Sequence, residues 1–294
     1  MRALAIPRDW PYRATSQHIA CRPHLWHVQE AGSGPTLLLI HGAGGATHSF
    51  RHLIPLLAQS HRVIAIDLPG QGFTVLGAPQ RCGLTAMAED IRALCLQQGW
   101  QPWAIIGHSA GAAIALRLAD LMPTEAVVGI NAALGKFDGV AGWIFPAMAR
   151  LLALTPLVAQ VFSRFAATPA QVRQLLASTG SQIDAAGEAQ YLHLMRMPSH
   201  VGATLAMMSQ WSLDAVVKRL PDLHLPCLLI TASNDRAVPP DVSRKAAGQL
   251  PNARWVDLPG PGHLVHEEAA AEVARLIRDF FQLCAEAGPT HPRA

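Results

Sequence analysis

The run Gly107-His108-Ser109-Ala110-Gly111 sets a serine between glycines two residues before and two residues after it. That spacing suits a nucleophile. Small residues let a sharp strand-to-helix turn pack closely on its neighbours. The turn holds the Ser109 hydroxyl clear of the sheet at a helix N-terminus, where partial positive charge favours a developing oxyanion. A serine hydroxyl attacks only if a base takes its proton. The chain has 14 histidines. Of these, His263 in Pro259-Gly-Pro-Gly-His263 stands between the last apolar run and the last helical pattern, whereas His266 falls inside the helix start. The base in turn needs an acid to fix its tautomer and stabilise the imidazolium. Asp235, in Ser233-Asn-Asp-Arg-Ala-Val-Pro239, follows a buried apolar run. Read singly, Asp235 is also a plain turn former and His263 one histidine among many. The serine motif and the order Ser, Asp, His select them together.

Charge on the attacked carbonyl calls for backbone donors. The N–H of Ala110 follows the nucleophile directly, and the small-residue loop His41-Gly-Ala-Gly-Gly45 offers that of Ala43. Each such donor lowers a barrier by about 3 kcal/mol in comparable sites. The loop lacks the downstream Lys-Ser/Thr of a nucleotide-binding loop. Asp67-Leu-Pro-Gly-Gln-Gly72 reads as a tight structural turn. Further along, Trp143, Phe145, Met148, Phe162, Met195, Met197, Met207, Met208 and Trp211 are candidates to line a pocket. Thioethers and rings together suit a large, flat apolar ligand, although most of these residues also fit a local helical core.

The elements that must position these residues alternate. A hairpin is expected at Gln17–Cys21 and Leu25–Gln29, turned through Arg22-Pro23. Continuous apolar runs follow at Pro35–His41, Arg62–Asp67, Trp103–Gly107, Ala126–Ile130 and Pro226–Thr231, with Arg254–Leu258 closing the series. Such runs suit strands buried on both faces. Helical patterns lie between them at His48–Gln59, Leu84–Gln98, Ser109–Leu121 and Asp241–Leu250. Val273, Leu276, Ile277, Phe280, Phe281 and Cys284 mark one apolar face of a last helix. The alternation predicts an α/β fold, a mostly parallel sheet with helices on both faces. Between Ile130 and Pro226 it breaks into helical patterning alone. The expected division is a core of residues 1–130 and 213–294 and an inserted helical cap over 131–212, above the strand C-termini where open α/β sheets place ligands.

Half of the 294 residues are hydrophobic and 15% are charged, well below the usual quarter or so. The net charge of +3 is scattered, which argues against a nucleic-acid partner. Five cysteines, odd in number and without CxxC spacing, point to reduced thiols and no zinc site. No metal or other cofactor is called for. The N-terminus lacks the apolar segment of a secretion signal, so a cytoplasmic location is expected. Val140–Phe165 is too interrupted to span a membrane, but its amphipathic look suits docking on a membrane surface.

With the serine motif, the His-Gly loop and the ordered triad in place, the whole chain resembles the α/β-hydrolase superfamily. Asp9-Trp-Pro-Tyr-Arg13, Gly44-Gly-Ala-Thr-His-Ser-Phe-Arg51 and Thr179-Gly-Ser-Gln-Ile-Asp184 are more specific. With Met207-Met-Ser-Gln-Trp211 and Asn234-Asp-Arg-Ala-Val-Pro239 they resemble the magnesium-chelatase accessory proteins of bacteriochlorophyll biosynthesis. Two departures from hydrolase relatives are visible. Gln71 stands where His is frequent, and Phe50 where Trp is common. The resemblance implies a role beside magnesium insertion into protoporphyrin IX, with magnesium chelatase as a partner. Two functions follow as expectations. One is a serine hydrolase acting on an ester, thioester or amide of an apolar substrate. The other is a non-catalytic accessory protein that binds a porphyrin or the chelatase on a hydrolase scaffold.

Overall fold

A computed structural model describes residues 1–135, 159–160, 163–164 and 167–287. The apolar runs form an eight-stranded sheet in the order β1-β2-β4-β3-β5-β6-β7-β8. The strands are β1 Ser16–Cys21, β2 His24–Ala31, β3 Thr36–Ile40, β4 Arg62–Ile66, β5 Ala104–His108, β6 Ala126–Ile130, β7 Cys227–Ala232 and β8 Ala253–Leu258. From β4 to β8 all neighbours run parallel, while β2 is antiparallel to both β1 and β4. Side chains alternate across a strand, so each run feeds both faces. Leu38 and Ile40 of β3 join one buried cluster with Ile64, Ile66 and Ile105, and Leu37 and Leu39 join the other with Val63, Ala65 and Ile106. Both faces are covered, hence the uninterrupted hydrophobicity of the central strands.

Helices α1 Ile54–Leu57, α2 Leu84–Gln98 and α3 Ala110–Leu121 lie between the early strands. The first departs from expectation. In place of a helix over His48–Gln59, a short 3-10 turn spans Thr47–Phe50, and α1 starts afresh with a proline in its first turn. The break lets all four residues of the 3-10 turn be buried, while Arg51 reaches an ion pair 216 positions along the chain.

After β6 the described chain is helical until β7. It contains α4 Pro169–Ser178, α5 Ala185–Met195, α6 Pro198–Ser209 and the short α7 Asp214–Val217. Local chemistry fixes two starts. Thr168 and Gln171 form a reciprocal capping box ahead of Pro169, and Asp184 accepts from the Gly187 N–H. Then come α8 Pro240–Ala247, α9 Val265–Glu268 and α10 Ala270–Ala287. Val273, Ile277, Phe280 and Phe281 of α10 pack on the second face of the sheet. No described helix is long and apolar enough to cross a membrane. Most of Val140–Phe165 lies outside the described residues.

Candidate active site

Ser109 occupies the turn from β5 into α3 with φ 52° and ψ −117°, a conformation disfavoured for any residue with a Cβ. Its N–H bonds to Ile130 O at 2.9 Å, and its own carbonyl accepts the N–H groups of Ala112 and Ala133, each at 3.1 Å. The flanking glycines are required by contact. A Cβ on Gly107 would lie 2.3 Å from Gly111 O, and one on Gly111 2.2 Å from Ile40 O. The strain at Ser109 is therefore clamped from both sides.

Asp235 follows β7. Its Oδ1 accepts the N–H groups of Ala237 and Val238 at 2.8 Å each, and its Oδ2 faces Nδ1 of His263 at 2.8 Å. The His263 carbonyl is held as well, by His108 Nε2 at 2.9 Å and Asn131 Nδ2 at 2.8 Å. Burial, and then the neighbouring His266 and His263, drive the His108 pKa well down, so the ring donates through one nitrogen as a neutral group. Asn131 lies at φ 45°, and its Oδ1 accepts the N–H of Ala232 at the end of β7. One side chain thus ties the strand bearing Asp235 to the loop bearing His263.

The segment after α4 straps these two loops together from the other side. Thr179 O accepts the N–H groups of both Arg236 (3.1 Å) and His263 (3.3 Å). Ser181 Oγ accepts that of Leu264 at 2.8 Å. Between them Gly180, at φ +84°, passes so close that a Cβ would lie 2.0 Å from Asn234 O. Thr179–Asp184, conspicuous in sequence only through its resemblance, has this geometric role.

The loop after β3 is equally fixed. Gly42 O accepts from His41 Nδ1 at 2.7 Å and from Gly45 N at 3.1 Å. In a trans peptide the N–H points opposite to the C=O, so these bonds also aim the N–H of Ala43. Gly44 is gripped through its N–H by Gln71 Oε1 at 2.8 Å and through its carbonyl by His200 Nε2 at 3.2 Å. Burial, with His41 next, lowers the His200 pKa to about 4. His200 is thus neutral at physiological pH, with Nδ1 accepting from Gly72 N at 3.0 Å. Among the described residues the N–H groups of Ala43 and Ala110 have no hydrogen-bond partner. Gln71 lies in the Asp67–Gly72 turn, read from sequence as purely structural. Its departure from the frequent histidine was the signal that it does more.

Ser109, His263 and Ala43 line one cavity of about 360 Å³, within the range of small-molecule sites. Its apolar wall includes Val172, Leu175, Leu176, Met195, Leu205 and Met208, and Ser49, Thr179, Tyr191 and Thr204 are polar points on it. Met208 thus faces the cavity, but Met207 and Trp211 do not. Met207 is 1% exposed with its sulfur 3.2 Å from Gln71 Nε2, and Trp211 packs on the main core. Met207 is turned instead to Gln71 and the main core, about 100° round the helix from Met208. Trp143, Phe145, Met148 and Phe162 lie outside the described residues.

Behind the cavity, Glu267 accepts from Tyr191 Oη at 2.7 Å through one oxygen and pairs with Arg51 through the other. Arg51 also reaches Asp184 at 2.9 Å. Burial outweighs Arg51 and the Tyr191 bond and pushes the Glu267 carboxyl up to about 7. Around it, Ser49 Oγ and both ring nitrogens of His48 and of His266 are buried without a partner among the described residues. Ser49, Tyr191 and Glu267 were given no role from sequence, because single polar residues at 49, 191 and 267 form no pattern until the fold joins them.

The chain belongs to the α/β-hydrolase family, whose profile matches residues 35–270. Within it, the chain is 48% identical over 284 residues to the magnesium-chelatase 30 kDa subunit of Rhodobacter capsulatus, covering 96% of this chain and all of that one. It is 26% identical over 263 residues to a pimeloyl-[acyl-carrier protein] methyl ester esterase of Xanthomonas oryzae, covering 86% of this chain and 98% of the relative. Among solved structures, a putative lipase from Acinetobacter baumannii superposes with a TM-score of 0.79 at 23% identity, over 95% of this chain and 94% of that one.

Proposed function

We propose that the protein is a serine hydrolase that cleaves an ester, thioester or amide of an apolar substrate, and that it serves magnesium chelatase in bacteriochlorophyll synthesis. Ser109 attacks the carbonyl while His263 takes its proton. Asp235 holds the histidine tautomer, and the N–H groups of Ala43 and Ala110 receive the oxyanion. His263 then returns the proton to the leaving group, and water cleaves the acyl-enzyme by the same route. Residues 131–212 act as the cap that selects the substrate. The observation carrying this reading is the joint restraint of the site. Ser109 is held in a strained elbow, and the loops of Asp235 and His263 are bound to each other through Asn131 and Thr179. Strain and restraint of this kind hold a nucleophile in place before its substrate arrives. The chelatase role rests on the name carried by the 48% identical relative.

The test is labelling by a fluorophosphonate and turnover of p-nitrophenyl esters, beside Ser109→Ala. Loss of a triad serine lowers turnover by about six powers of ten in comparable enzymes. Labelling and turnover that vanish in the variant support the hydrolase. A folded wild type that neither labels nor turns over overturns it and leaves the alternative, a porphyrin- or chelatase-binding scaffold, which titration with protoporphyrin IX then examines.

A further inference from the structure

The cavity is unevenly lined. Its aliphatic and thioether wall asks nothing of a ligand but contact, whereas Ser49, also a lining residue, is 1% exposed and its buried hydroxyl has no partner among the described residues. A buried hydroxyl is nearly always hydrogen-bonded, and one that faces a cavity is completed by what fills the cavity. Tyr191 stands on the same wall. Its O–H is committed to Glu267, so its oxygen offers only lone pairs. The His48 ring packs edge-on against Tyr191, with centroids 4.5 Å apart. His48 is not itself among the lining residues, so the lining of that end holds one free donor, at Ser49, and acceptor lone pairs.

Charge narrows the class. Arg51 is the near cation, and its two terminal nitrogens are taken by Glu267 and Asp184. His48 and His200 are neutral, chiefly through burial. Among the described residues no cation lining the cavity is left to meet an anion, and two carboxylates stand behind this end. A ligand carboxylate placed here would lose its water with no free cation to meet it. An uncharged oxygen would meet the Ser49 hydroxyl instead.

Resting on the hydrolase reading above, we propose that the Ser49–Tyr191 end of the cavity recognises an uncharged oxygen function of the substrate, remote from the scissile bond, and turns away carboxylates. Carbonyl, ether and hydroxyl groups meet this description. Ser49 is then a specificity-determining residue, distinct from the groups that perform the cleavage.

The full chain can be tested with matched medium-chain p-nitrophenyl esters whose acyl ends are methyl, methoxy or carboxylate. Alongside them run the corresponding aryl ketones, in which CH2 replaces the ester oxygen so that binding is read by calorimetry without cleavage. One net hydrogen bond favours the methoxy over the methyl end by about tenfold. The carboxylate end is disfavoured by about a hundredfold or more. Ser49→Ala brings the methoxy-to-methyl ratio to about one, and Ser49→Thr, which keeps a hydroxyl, retains a preference. An unchanged ratio in Ser49→Ala, or a wild type that takes the carboxylate as readily as the methyl end, overturns the proposal. If no ester is cleaved but the ketones are sorted in this order, the recognition stands and the hydrolase reading falls. If the esters are cleaved but the ketones are unsorted, the hydrolase reading stands and the recognition falls. Should Ser49→Ala fail to fold, the wild-type ketone series decides alone.

Discussion

Two buried carboxylates lie near the Gly42–Gly45 loop and Ser49, and they are held in opposite ways. Asp67, fully buried at the end of β4, accepts the backbone N–H of Thr47 at 2.7 Å and that of Phe73 at 2.8 Å, as well as Nδ1 of His27 at 2.6 Å. Burial alone would raise its pKa, but His27 and these donors outweigh it and hold the carboxyl at about 2. Glu267 is buried as deeply, yet Tyr191 and Arg51 hold it through side chains alone, and its carboxyl rises to about 7. Backbone donors are fixed by the fold and need no further ordering, whereas side chains must be ordered to serve. Asp67 is accordingly part of the frame that carries Gln71 to Gly44. Glu267 belongs to a softer group, with unpartnered neighbours, that opens onto the cavity through Tyr191.

The largest effect should come from breaking the rigid member. Asp67→Ala strands two backbone donors and an imidazole in a dry interior, and removing one partner of such a set costs about 3–5 kcal/mol. Urea unfolding should show that loss. It should also show a further weakness in the wild type at low pH. With its folded pKa depressed, Asp67 contributes stability above its unfolded value of 3.8 that disappears as pH falls through about 2. A loss below about 1 kcal/mol in Asp67→Ala would mean that the turn holds without its carboxylate.

The rigid half is also the half that sequence discloses. The runs at Ala126–Ile130 and Leu84–Gln98 coincide with β6 and α2 to the residue, because hydrophobic periodicity depends only on which faces are buried. The motifs around Ser109, Asp235 and His263 are legible for a similar reason. Each is a local loop whose composition follows from its own backbone, as the glycines beside Ser109 show. The softer half escapes. The helix expected at His48–Gln59 is broken so that Arg51 can reach Glu267, a contact between distant segments that no local pattern records. Met207 and Trp211 failed as cavity residues because composition does not give helical phase. Gln71 and Thr179–Asp184 stood out only as a departure and as a resemblance. Their tasks, gripping Gly44 and strapping the loops of Asp235 and His263, needed coordinates.

For the softer member the linkage has the opposite sign. The unfolded chain releases the Glu267 proton near 4.5, while the folded protein keeps it until about 7. The folded state thus binds more protons in that window, and stability is full below pH 4.5 and lost as pH rises through 7. The difference in unfolding free energy between wild type and Glu267→Gln should therefore fall by ~3 kcal/mol between those limits and stay flat above them. Taking the difference cancels the buried histidines, which act the other way in both proteins. A difference that is flat throughout would mean that Arg51 keeps Glu267 ionised, making it rigid like Asp67.

Tyr191→Phe should have the smallest effect and separates the two causes. The ring against His48 is kept, and only the bond to Glu267 is lost, at about 1 kcal/mol. Because that bond favours the ionised carboxylate, its loss should move the Glu267 transition further upward, which the same pH series of unfolding curves can read. A transition that stays in place would mean that burial is opposed by Arg51 alone, and Tyr191 would then serve the cavity rather than the carboxylate behind it.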